Sequence, residues 1–128
     1  MQREIKFRAK VKGDAGMWNV WAIDWRNLQV MLDGARDGAW TPMSKIQALM
    51  QYINQKDIND VEMYDGDIVK YQVSLIPLVY ETYEVVWLQN GFAYKQVGTE
   101  DQWVIYLQPT KLEVIGNIYE NSALLSNT

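Results

Sequence analysis

Short β-prone runs separated by turn-forming residues constrain this fold more than any other feature of the sequence. The first run alternates strictly between apolar and polar residues from Glu4 to Lys12, which predicts a half-buried strand. Asn90-Gly91 lies between two further runs and indicates a β-hairpin. The other expected strands cover residues 17–23, 28–32, 68–73, 82–88, 92–95, 103–107 and 112–119. This spacing favours a mainly β fold of antiparallel strands in a barrel-like or sandwich arrangement.

Two segments add some α+β character to this prediction. Residues 46–53 place Ile46, Leu49, Met50 and Ile53 at helical spacing, while Met50 and Tyr52 also alternate with Gln51, so helix and strand both remain open. Near the C-terminal end, residues 120–125 favour one helical turn.

The chain has neither Cys nor His among its 128 residues. Thiol nucleophiles, imidazole acid–base catalysis and the usual zinc and iron–sulfur sites are therefore excluded. The groups that remain are carboxylates, Lys, Tyr, Ser and Thr, and their spacing matches no reaction template. We therefore expect no enzymatic activity and no cofactor.

The length of the chain fits one domain over residues 1–128, with possible subdomains 1–60 and 61–128.

The net charge of −4 disfavours non-specific binding to nucleic acid, because affinity for phosphates grows with the number of cations placed against them. The charge is uneven, since residues 1–12 carry +4 and residues 13–128 carry −8. No apolar run approaches the roughly 20 residues that span a bilayer, and the N-terminus has no signal-peptide pattern. We expect a cytoplasmic protein with no membrane partner.

The positive residues of the first strand fall on one face and form a candidate contact for an acidic partner. They are Lys6, Arg8, Lys10 and Lys12. Two structural interpretations compete with that one. Lys residues on an edge strand deter pairing between sheets, and the acidic remainder of the chain can neutralise these cations.

Trp residues crowd the first third of the chain, which raises the question of whether all of them are buried. Asn19, Trp21, Ile23 and Trp25 would share one strand face and Trp18 the other, so at least one Trp is expected outside the core. An exposed Trp would suit contact with a protein or a second copy of the chain better than stacking on a nucleobase, given the net charge.

Five carboxylates fall between residues 57 and 67, and they are Asp57, Asp60, Glu62, Asp65 and Asp67. A metal site or a catalytic pair is conceivable here. The spacing does not match a calcium loop, whereas Asp and Asn stabilise turns through bonds to the backbone. The turn interpretation is therefore preferred.

Three blocks of residues, at the start, middle and end of the chain, carry a resemblance to a known family. They are Arg3-Glu4-Ile5-Lys6-Phe7-Arg8-Ala9; Leu49-Met50-Gln51-Tyr52 with Lys56-Asp57 and Met63-Tyr64-Asp65-Gly66-Asp67-Ile68-Val69; and Val114-Ile115-Gly116-Asn117-Ile118-Tyr119-Glu120-Asn121 with Leu124-Leu125. In order and spacing they resemble the YopX family of phage and prophage proteins. The resemblance implies a phage-encoded protein of bacterial hosts, with a mainly β fold whose C-terminal part is similar to an SH3-type barrel. It implies no catalytic residues, because the family has no established enzymatic activity.

The segment 52–60 departs from the family because it lacks two glycines. Asn54 and Asp60 tolerate the left-handed backbone conformations that turns require, so the turns can form without those glycines.

These observations lead to one principal hypothesis and two alternatives. The chain is expected to be a non-enzymatic phage accessory protein that binds another protein or a second copy of itself. The residues expected to make the contact are Lys6, Arg8, Lys10, Lys12, Trp18, Trp21 and Trp25. The alternatives are a nucleic-acid-binding protein of phage replication or regulation and, more remotely, an enzyme that uses the carboxylates of residues 57–67.

Overall fold

β-Strands form most of the regular structure, in agreement with the sequence pattern. A computed structural model describes residues 3–34, 39–88, 90–98 and 102–125, and all strand pairings within these ranges are antiparallel. The strands are β1 (Phe7–Val11), β2 (Trp18–Asp24), β3 (Gln29–Leu32), β4 (Thr41–Pro42), β5 (Ile46–Lys56), β6 (Glu62–Tyr64), β7 (Asp67–Leu75), β8 (Leu78–Leu88), β9 (Gly91–Gln96), β10 (Trp103–Val104) and β11 (Leu112–Asn117). Single 3-10 turns occupy Met43–Lys45, Pro109–Lys111 and Ser122–Leu125. The prediction of a mainly β, antiparallel fold is confirmed.

The chain divides into two compact units, Met1–Gln51 and Tyr52–Thr128. The first unit has the strand order β4-β3-β2-β1-β5, with residues 46–51 as its part of β5. β1 is thus bordered on both sides, by β2 and by β5. The interpretation of its lysines as protection for an exposed edge is therefore wrong.

Residues 46–53 form part of a strand and not a helix. The first half of β5 pairs with β1, where Arg8 lies opposite Met50, and the second half pairs with β6, where Tyr52 lies opposite Tyr64. Met50 and Tyr52 are both buried, as the alternation with Gln51 predicts. These two neighbouring strands supply backbone partners that an isolated helix of eight residues would lack, so the tertiary context selects the strand.

The second unit contains a five-stranded sheet in the order β10-β9-β8-β7-β11. Its core comprises Met63, Val69, Tyr83, Val85, Tyr94, Leu107 and Leu112. β10 and β11 lie at the two ends of this order, and no pairing among the described residues joins them. The barrel closure implied by the resemblance is therefore not confirmed, whereas the β-rich character of this part is.

The hairpin formed by β7 and β8 extends beyond the strands that flank it. β11 pairs with β7 no farther than Tyr71, and β9 pairs with β8 only from Tyr83 onward. Residues 72–80 therefore have only each other as strand partners, with Ile76 and Pro77 at the turn. We refer to residues 72–80 as the arm. Within the described ranges, no helix has the length and apolar character needed to cross a membrane.

Candidate functional site

The cations predicted to share a contact face on β1 are mostly engaged within the first unit. Lys6 lies 3.4 Å from the Glu4 carboxylate, measured from Nζ to Oε1. The Arg8 side chain donates from Nε to the sulfur of Met50, at 3.5 Å. Both side chains thus have a partner within the first unit.

Lys10 and Lys12 have different environments at the end of the same strand. Lys10 is only 8% exposed, and its ammonium group donates to the backbone carbonyl of Asp14. Lys12 is exposed. The four predicted cations thus do not form a uniform solvent-facing surface, and Lys12 is the best placed of them to meet a partner.

The Trp residues of the first unit lie largely outside its core, which confirms that at least one of them is not buried. Trp21 is 74% exposed and Trp25 is 63% exposed, while Trp18 is also exposed and donates from its indole nitrogen to the Asp14 carboxylate at 3.0 Å. Trp21 lies at a shift in the β2–β3 register, which places one extra residue between Val20 and Ala22. A bulge of this kind disrupts the ladder locally and redirects side chains.

A hydrogen-bonded turn holds Trp25 and the exposed Leu28 between β2 and β3. The Asp24 carboxylate accepts hydrogen bonds from the backbone nitrogens of Arg26 and Asn27, both at 3.1 Å, and from the Asn27 side chain at 2.8 Å. The hydrogen bonds from Asn27, followed by those from Gln29 and Arg26, hold the pKa of Asp24 below its ordinary value. The turn therefore presents two large apolar side chains on a backbone fixed by a charged group.

Asp57, in the acidic segment, has a structural role. One of its oxygens accepts from the backbone nitrogens of Asn59 and Val61, at 2.8 and 2.9 Å, and the other accepts from the backbone nitrogen of Val114 at 2.9 Å. The side chain is buried. Each oxygen thus satisfies backbone donors, as the turn interpretation predicts.

Asp67 supports the second turn of the acidic segment. It is 1% exposed, and its carboxylate accepts from the backbone nitrogen of Tyr64 at 2.8 Å. Gly66 adopts a positive φ of 92°, donates to the carbonyl of Val85 and accepts from the nitrogen of Ile118. In the part of the chain that the structure describes, Asp and Glu side chains form no group of three that could hold a metal ion.

An apolar cavity of about 800 Å³ lies at the end of the β8–β9 hairpin, and the sequence analysis did not identify it. Its lining residues are Trp87, Leu88, Asn90, Gly91, Phe92, Trp103 and Ile105. The rings of Trp87 and Phe92 meet edge to face, with centroids 4.5 Å apart, at directly opposed positions of β8 and β9. Ile105 is 84% exposed, and Trp87 and Trp103 are exposed as well. Not one of these seven residues is charged.

The outer edge of β9 is open beside this cavity. β10 pairs with β9 at Lys95 and Tyr94 and then ends at Val104. Gly91, Phe92 and Ala93 therefore have no strand on that side within the described residues. An edge of this kind offers backbone donors and acceptors to another extended segment.

Position in the sequence explains why these cavity residues were missed. Trp103 lies sixteen positions after Trp87, and nothing in either run shows that β10 returns beside β9. The sequence contains only a weak signal for the cavity. Trp87, Phe92 and Tyr94 flank the predicted Asn90-Gly91 turn, which brings aromatic side chains of two strands close together in a hairpin.

Comparisons with known proteins agree with this architecture. The chain is similar to the crystal structure of protein EF1440 from Enterococcus faecalis, with a TM-score of 0.70 and 24% sequence identity over 97% of this chain and 99% of that one. This likeness concerns the fold. A search of curated proteins finds no match. The family model described as YopX protein matches residues 6–126, nearly the whole sequence. The chain therefore belongs to the YopX family.

Proposed function

We propose that this chain is a non-enzymatic phage or prophage accessory protein that acts in the bacterial cytoplasm by binding another protein or a second copy of itself. The observation that carries the proposal is the uncharged cavity bounded by Trp87, Phe92, Trp103 and Ile105. Exposed aromatic side chains in one concave region are typical of protein-binding sites, where Trp is enriched among the residues that dominate affinity. The phage setting rests on the resemblance to the YopX family.

The charges of the described residues favour a protein partner over nucleic acid. Single strands bind where aromatic side chains lie in a positively charged groove, and the seven described residues of the cavity lining include neither Lys nor Arg. Lys10 of β1 is buried, and the chain carries a net charge of −4. A surface of this composition lacks the phosphate contacts that supply non-specific affinity for nucleic acid.

Trp21 and Trp25 of the first unit provide a second surface of the same chemical kind. Both are exposed, and Trp25 is held by the Asp24 turn. This surface retains two of the Trp residues singled out in the sequence, although it lacks the enclosed shape of the cavity. Its contribution can be measured separately with Trp21→Ala and Trp25→Ala.

The test is an affinity pull-down from bacterial lysate in parallel arms, with and without nuclease, alongside sedimentation analysis of the purified protein. The proposal predicts either a protein that remains bound after nuclease treatment or an oligomer of the chain. Recovery of partners only in the arm without nuclease would favour the nucleic-acid alternative instead. A monomer that captures no protein in either arm would contradict the proposal.

A further inference from the structure

The arm exposes apolar side chains on a two-stranded ribbon. Ile76 at its turn is 90% exposed, and the other exposed apolar side chains are Val73, Leu75, Leu78 and Val79. No charged residue occurs from 71 to 80. A two-stranded hairpin is marginally stable in water unless another strand or surface covers it. Its composition and its pairing therefore both favour burial of the arm against another surface.

The arm and the cavity lie at opposite ends of the same strand. β8 begins at Leu78, beside the turn of the arm, and ends at Leu88, which lines the cavity. Ten residue steps along an extended strand span roughly 33 Å. Because one strand holds them that far apart, the arm of a given copy cannot enter the cavity of the same copy.

We infer that the arm of one copy inserts into the cavity of a second copy, so that the chain associates head to tail with itself. This inference rests on the proposed function and identifies the partner as another copy of this chain. Leu75, Ile76 and Leu78 supply the inserted side chains, and Trp87, Trp103 and Ile105 receive them.

Charge supports this pairing. Each copy carries a net charge of −4, which opposes association through most surfaces. The arm residues 72–80 and the seven described residues of the cavity lining are all uncharged, so no like charges meet among these residues. An uncharged centre is also typical of stable interfaces, which are depleted of charged residues there.

Large exposed apolar side chains lie on both surfaces of the proposed contact. The five apolar side chains of the arm and Trp87, Trp103 and Ile105 of the cavity are between 40% and 90% exposed, so they can contribute to the roughly 1,000 Å² that a specific interface buries in total. The open edge of β9 at Phe92 adds a place where the extended backbone of the arm can form hydrogen bonds. The arm thus matches the cavity in apolar character and in strand geometry.

The test uses sedimentation velocity and light scattering on the full chain over a range of concentrations. Ile76→Glu places a charge on the arm, and Ile105→Glu places one in the cavity. Both side chains are almost fully exposed, so neither change disturbs the core, and circular dichroism verifies the fold. Ile5→Glu is the matched control, because Ile5 is 65% exposed and belongs to neither surface.

The wild-type chain and Ile5→Glu are expected to increase in mass with concentration above the 14.9 kDa of one chain. Each of the other two variants is expected to weaken association at least about tenfold. An equimolar mixture of Ile76→Glu and Ile105→Glu should form a dimer, because the first retains an intact cavity and the second an intact arm. This recovery on mixing is specific to a head-to-tail contact.

Three results would overturn the inference. They are a wild-type chain that stays monomeric, a mixture that forms no dimer, and an Ile105→Glu variant that associates like wild type. The last would mean that the association does not use the cavity. A monomeric chain that still captures a different protein in the pull-down would leave the proposed function standing without this inference, whereas a monomer that captures nothing would remove both.

Discussion

The carboxylate of Asp57 lies 2.9 Å from the backbone nitrogen of Val114, although 57 positions separate the two residues in the chain. The same carboxylate binds the backbone nitrogens of Asn59 and Val61. One buried side chain thus closes the turn after β5 and attaches it to β11. This structural role explains Asp57 of the Lys56-Asp57 pair, one of the elements of the family resemblance.

Replacing Asp57 should destabilise the fold strongly. Asp57→Ala removes the acceptor for three backbone N–H groups, so we expect the free energy of unfolding to fall by about 3 kcal/mol. Asp60→Asn is the control, because Asp60 is exposed and Asn accepts its positive φ of 64°, and it should change stability by less than about 0.5 kcal/mol. Urea denaturation of both variants measures the difference. Equal stabilities would show that the Asp57 bonds contribute little.

Gly116 should tolerate no side chain, because Asn121 lies against it. A Cβ at Gly116 would lie 2.6 Å from Oδ1 of Asn121, the atom that accepts a hydrogen bond from the backbone of Asn117. We expect Gly116→Ala to cost about 1–3 kcal/mol. In an Asn121→Gly background the same substitution should cost much less, since the three close atoms are gone. A cost that is unchanged in that background would rule out this steric explanation.

Glu84 should reduce stability at neutral pH. Burial raises the pKa of Glu84 above its ordinary 4.5, and the opposite charge of Lys95 offsets this effect only in part. The folded state then binds the proton more tightly than the unfolded state, so stability is lost as the pH rises through the folded pKa. The Glu84→Gln variant should therefore be more stable than wild type at pH 7. This gain in stability should disappear at pH values below the ordinary pKa of Glu.

Lys95→Met provides the matched test of the Glu84 prediction. Removing the positive charge of Lys95 should make the ionised form of Glu84 more destabilising to the folded state. The gain in the free energy of unfolding from Glu84→Gln should therefore be larger in the Lys95→Met background. Thermal or urea unfolding of the four proteins at several pH values measures both effects. A gain from Glu84→Gln that does not vary with pH would contradict the assignment.

Two buried tyrosines should titrate late and limit alkaline stability. Burial raises the pKa of Tyr83 to about 12, with help from its hydrogen bond to Glu81, and burial raises the pKa of Tyr94 to about 12 as well. Stability should therefore fall between pH 10 and 12 as the unfolded state releases these protons.

Tyr94→Phe should remove part of the late tyrosinate absorbance. It should also cost about 1 kcal/mol at neutral pH, because the 2.6 Å hydrogen bond to Gln55 is lost. An unchanged absorbance titration would be inconsistent with a late-titrating Tyr94.

Local sequence signals predicted most strands because those signals act over a few residues. The hairpin predicted from Asn90-Gly91 and the strand leading from Gly66-Asp67 are both confirmed, since both signals come from residues close to a turn. Residues 46–53 could not be assigned in this way, because the strand depends on pairing with β1 and β6.

The candidate site depends more heavily on long-range contacts. Alternation alone places Lys10 among the outward cations of the first strand, yet Lys10 is buried and its ammonium group donates to the carbonyl of Asp14. Exposure of at least one Trp could be anticipated, because alternation along the strand places Trp18 and Trp21 on opposite faces. The cavity could not, because Trp87 and Trp103 meet only through the return of β10.

The most direct test of the central claim is a pull-down from nuclease-treated bacterial lysate that also contains an untagged copy of the chain. Tagged wild type, Ile105→Glu and the exposed-site control Ile5→Glu are compared for the protein that they retain. Binding through the cavity predicts equal recovery by wild type and Ile5→Glu, and at least about tenfold less with Ile105→Glu. Equal recovery by all three proteins would contradict binding through this cavity.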